Sequence, residues 1–76
     1  MIEKKKWLLI TFYTTAGAMK LEKACRLNHF PGKLVPVPRS VTSDCGIAWR
    51  TELSERPVME EITRDMEIAG IFEVEF

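Results

Sequence analysis

Lys6-Trp7-Leu8-Leu9-Ile10-Thr11-Phe12-Tyr13 is the stretch that decides the fold. Successive side chains of an extended chain point to opposite faces. Leu8, Ile10 and Phe12 then share one face, and Trp7, Leu9, Thr11 and Tyr13 share the other. A strand with apolar groups on both faces belongs in the middle of a sheet.

On the C-terminal side, Thr14 and Thr15 offer N-caps for a helix from Ala16 to about Asn28. Ala18, Leu21, Ala24, Cys25 and Asn28 fall on one stripe of that helix, with Lys20, Lys23 and Arg26 on the wet side. Asn28-His29-Phe30-Pro31-Gly32 stops it, with His29 placed to meet the free carbonyls of its last turn. Lys33 to Pro38 reads as a second strand. Pro36 and Pro38 cannot donate to a ladder, so this strand should lie at an edge. Gly46 to about Leu53 is a third strand, with Ile47, Trp49 and Thr51 facing one way and Ala48, Arg50 and Glu52 the other. Ser54 is the expected cap of a second helix, and Pro57 is tolerated in its first turn. Met59, Ile62, Met66 and Ala69 form its expected buried stripe, and Gly70 its stop. Ile71 to Phe76 is a last strand, in which Phe72, Val74 and Phe76 alternate with Glu73 and Glu75.

This order predicts an α+β fold over residues 1–76 as a single domain, a ferredoxin-like βαββαβ sandwich. Its four-stranded antiparallel sheet would run in spatial order 4-1-3-2, with two helices on one face. The other face would leave Trp7 or Trp49 for protein contact or a homodimer.

Bulk composition narrows the function. Of 76 residues, 46% are apolar, enough for one small core. Eleven basic and eleven acidic side chains cancel, so no nucleic acid or anionic membrane is called for. Lys4-Lys5-Lys6 is the only basic run and reads as a solubilising flank. No segment could span a bilayer and no signal-peptide cleavage pattern is visible, so the chain reads as cytoplasmic. Two cysteines and one histidine make neither a disulfide scaffold nor a zinc site, and no nucleotide-binding motif is present.

The chemistry concentrates in Pro36-Val37-Pro38-Arg39-Ser40-Val41-Thr42-Ser43-Asp44-Cys45-Gly46. Here a thiol sits in a polar, glycine-flanked turn that leaves a stiff, proline-marked base. Arg39, Thr42 and the loop amides, including that of Gly46, would favour the thiolate, which is the reactive form. Asp44 beside the thiol opposes it. In the expected fold this turn lies at the C-terminal end of the first strand, which brings Cys45 toward Thr14, Thr15 and the positive end of the first helix. The competing reading is a turn that contains a half-buried Cys. Cys25, on the buried stripe about 15 Å along the helix, reads as core, too far from Cys45 to form a disulfide.

Two motifs point to a family. Phe12-x-Thr14-Thr15-x-x-Ala18-Met19-x-x-Glu22 is followed by Val35-Pro36-Val37-Pro38-Arg39-x-Val41-Thr42-x-x-Cys45-Gly46. Together they resemble the small bacterial selenium/sulfur carrier protein-like domains, over roughly residues 7 to 70. The resemblance implies a carrier that holds sulfur or selenium as a persulfide or selenosulfide on the Cys of Cys-Gly, here Cys45. It implies donor and acceptor proteins, with TusA-like carriers among them, and no cofactor. Cys25 has no place in the family motif.

Three readings stand side by side. Cys45 relays sulfur or selenium from a donor such as a desulfurase persulfide. Alternatively the domain is a non-catalytic interaction or regulatory module that works through a Trp-bearing sheet face. In the third, Cys45 is a redox-sensing thiol. A turnover enzyme has least support, because Asp44 is the only acid–base group next to Cys45 and His29 lies at the far end of the first helix.

Overall fold

A computed structural model describes residues 4–38, 41 and 46–75. It contains β1 (Lys6–Thr11), α1 (Thr15–Leu27), β2 (Lys33–Pro36), β3 (Ile47–Glu52), a 3-10 turn (Leu53–Glu55), α2 (Arg56–Ile62) and β4 (Gly70–Glu75). The sheet runs β2-β3-β1-β4 with every neighbouring pair antiparallel, which is the expected 4-1-3-2 order read from the other edge. β1 pairs on both sides, and the proline-bearing β2 lies at an edge.

Leu8 and Ile10 of β1, Phe12 just after it and Trp49 of β3 meet Ala18, Leu21 and Cys25 of α1 and Met59 of α2 in one core. Trp49 is therefore buried under the helices, and Trp7 is the tryptophan of the opposite face. That face is closed at its centre, where Leu9, Thr11 and Ala48 are fully buried. The Phe72 ring leans over Gly70, beside Thr11.

Thr14 caps α1, its Oγ1 accepting the Gly17 N–H at 3.1 Å. At the other end Phe30 N–H donates to Cys25 O at 2.8 Å and His29 N–H to Arg26 O at 3.3 Å. These are the two bonds of a Schellman stop, with His29 in the left-handed position at φ 59°. Asn28 is an exposed cap rather than part of the buried stripe; its Nδ2 donates to Ala24 O.

The second helix is the main correction. Ser54 does not cap it: this exposed residue lies inside the 3-10 turn, and Glu55 takes the cap position without a side-chain bond. α2 ends at Ile62 rather than running to Gly70, and Gly70 opens β4. The reason is the height of the sheet. Glu52 pairs with Trp7 and Gly70 with Thr11, so the connection climbs only four residues of strand, roughly 13 Å. A helix over 54–69 would span about 24 Å and overshoot. Thr63 makes the stop: its Oγ1 donates to Met59 O at 2.6 Å, and Met66 N–H turns back to Thr63 O at 3.0 Å. Ala69 is exposed, not buried; its N–H reaches Thr11 O at 2.8 Å and leads the chain into the sheet. Met66 still packs on the core from this turn. Glu73 falls on the helix side of β4, where Arg56 of α2 reaches it at 3.0 Å.

Two substitutions test these turns by chemical denaturation. His29→Gly removes the cost of a left-handed side-chain residue and should stabilise by about 1 kcal/mol. Gly32, at φ 144°, lies against Trp49, and a Cβ there would meet the indole at 2.5 Å and Arg50 O at 2.8 Å. Gly32→Ala should destabilise by about 2 kcal/mol or more through overpacking.

Candidate functional site

The β2–β3 connection leaves the sheet at Pro36 and returns at Ile47. Val37 N–H donates to Gly46 O at 3.1 Å, extending the hairpin one rung past the strands. Val41 N–H donates to Pro38 O at 3.0 Å. Gly46 has φ 78°, and a Cβ there would touch nothing within 4 Å. Its glycine is required by the left-handed backbone, not by crowding.

Val35, Ala48, Thr11 and Gly70 lie in one row across the sheet. The base of the loop is thus at the end of the sheet where β1 finishes and α1 begins. Cys45, Arg39 and Thr42, together with Asp44, lie outside the described residues. Gly46, Thr14 and Thr15 are described. Thr14 spends an oxygen lone pair on its own helix cap, and Thr15 is the exposed first residue of α1.

The sequence reading overlooked two acidic neighbours of that helix end. Asp65 and Glu67 line a cleft with Thr14, Ala16, Gly17 and Lys20. The segment after α2 packs here because the short helix ends early, and Glu67 O lies 3.6 Å from a Cβ built at Gly17. Carboxylates at this place oppose the positive helix end as an anion site, while Lys20 offsets them in part. Only the true length of α2 reveals this arrangement.

Cys25 is a free, fully buried thiol. Burial first, and the Glu55 carboxylate second, push its pKa up to about 11. At neutral pH it stays protonated and unreactive. Among the described residues no group of three His, Cys, Asp or Glu could hold a metal ion. Among them also, no helix is long and apolar enough to cross a membrane.

In the native protein at neutral pH, Cys25 should resist iodoacetamide and label only in denaturant, a result read by peptide mass spectrometry. Rapid native labelling of Cys25 would contradict the buried assignment. Gly46→Ala should cost about 1 kcal/mol of stability, because the residue must keep a left-handed φ.

No curated protein and no solved structure matches the chain. The family model described as "Putative Se/S carrier protein-like" matches residues 7–73, from β1 through most of β4 and across the whole β2–β3 loop. The chain belongs to that selenium/sulfur carrier protein-like family.

Proposed function

We infer that this protein carries sulfur or selenium on Cys45 and passes it between proteins. The observation that carries the reading is the family match, which spans the loop that contains Cys45. The burial of Cys25 supports it by leaving Cys45 as the thiol suited to cargo.

The exchange is balanced. The Cys45 thiolate attacks the outer sulfur of a donor persulfide, a new S–S bond forms, and the donor thiolate leaves. Cys45 then holds the persulfide, and an acceptor thiolate removes the outer sulfur by the same exchange. Selenium would travel in the same way from a donor selenosulfide. No net oxidation occurs, so neither leg needs an oxidant. Release expels the Cys45 thiolate, so a lowered Cys45 pKa helps the outward leg. Arg39, Thr42 and the Gly46 amide are the groups assigned to that stabilisation. Thr14, Thr15 and the start of α1 stand at the same end of the sheet and add to it. Asp65 and Glu67 temper their effect.

Radiolabelled sulfur from a cysteine desulfurase should pass to the protein and from it to an acceptor thiol. Cys45→Ser should abolish both steps, and Cys25→Ser should leave them intact. Transfer that survives Cys45→Ser would overturn the reading. The pH dependence of Cys45 alkylation should give a midpoint below the ~8.5 of a free cysteine. Arg39→Ala should raise that midpoint without unfolding the protein. An unchanged midpoint would remove Arg39 from the site.

A further inference from the structure

The face of the sheet turned away from the helices carries a cationic pair with no acidic partner among the described residues. Lys33 of β2 and Arg50 of β3 are register partners on this face. Like charges directly opposite each other across a ladder are destabilising. Among the described residues no carboxylate pairs with either of them. Glu52, which lines the same cleft, is already bonded to Lys5 at 2.7 Å. Both Lys5 and Arg50 lie against Trp7, with Nζ 4.5 Å and Cζ 4.1 Å from the ring centroid. A stacked guanidinium keeps its N–H edge available for a carboxylate. A cleft lined by Trp7, Pro31, Gly32, Lys33, Arg50 and Glu52 opens at this point.

We propose that this face, centred on Lys33, Arg50 and Trp7, docks an acidic segment of a partner protein whose carboxylates pair with Lys33 and Arg50. The anion removes the like-charge repulsion built into the β2–β3 ladder. A nucleic acid fits less well. Stacking a base needs an exposed ring, and here two cations already cover the Trp7 ring. The site lies about four residues along β3 from Gly46, on the order of 13 Å from the loop base. The surface does not depend on the carrier reading, since its test involves no sulfur.

The test is a titration of the protein with a short glutamate-rich peptide, followed by 1H–15N NMR. The Trp7 indole N–H and the Arg50 Nε–H should shift saturably, while the Trp49 indole N–H, in the core, stays still. The affinity should fall as salt rises from about 50 to about 300 mM. Lys33→Glu and Arg50→Gln should each weaken binding roughly fivefold or more. Lys33 is exposed, so its variant keeps the test valid if Arg50→Gln perturbs the fold. No saturable shift at Trp7 and Arg50 would overturn the proposal. So would shifts centred on Lys20 and Lys23 of α1, or tighter binding of single-stranded DNA by the same residues. Full affinity in Lys33→Glu would overturn it as well.

Discussion

The structure depends on β1 being paired on both edges and buried on both faces. Leu8, Ile10 and Phe12 hold the helices, while Leu9 and Thr11 close the opposite side. Its two registers set the height at which every other element must start and stop. Trp7 opposite Glu52 fixes where β3 ends, and Thr11 opposite Gly70 fixes where β4 begins. α2 is short because it must climb between those two levels and no further. The Schellman stop at His29 and the close approach of Gly32 to Trp49 do the same work for α1, turning the chain down into β2. Substitutions that empty the centre of β1, such as Ile10→Ala, belong to the class that costs about 2–5 kcal/mol.

The fold was legible where pattern and geometry agree. The apolar run 7–13 marked a central strand, and Pro36 and Pro38 marked an edge. Thr14 is an N-cap both by type and by its bond to Gly17. The length of α2 was not legible. Met59, Ile62 and Met66 keep helical spacing, yet Met66 reaches the core from a turn. Periodicity reports which side chains are buried, and it is silent on a stop imposed by a distant register. The same register hides the cationic face, because alternation places Trp7 and Arg50 on a face without showing that they are diagonal neighbours. Of the candidate site, the sequence marked Pro36 and Gly46 at the loop base, while Cys45 itself lies outside the described residues. The carboxylates of Asp65 and Glu67 at the start of α1 were hidden by the overlong helix.

The functional picture divides the molecule into two ends. At the C-terminal end of β1, the hairpin closed by Val37 and Gly46 carries the loop of Cys45. Toward the other end of β3, Lys33, Arg50 and Trp7 offer a charged face for docking. Cys25 is buried in the core between α1 and the sheet, with its pKa raised to about 11, so it stays a protonated thiol at neutral pH. Cys25 is thus a packing thiol.

The most direct measurement of the central claim is where the chalcogen goes. The wild-type protein is incubated with a cysteine desulfurase and cysteine, trapped by alkylation, and mapped by peptide mass spectrometry. The account predicts one added sulfur atom on the peptide containing Cys45 and none on that containing Cys25. An added atom on Cys25, or an unmodified Cys45 beside an active desulfurase, would contradict it.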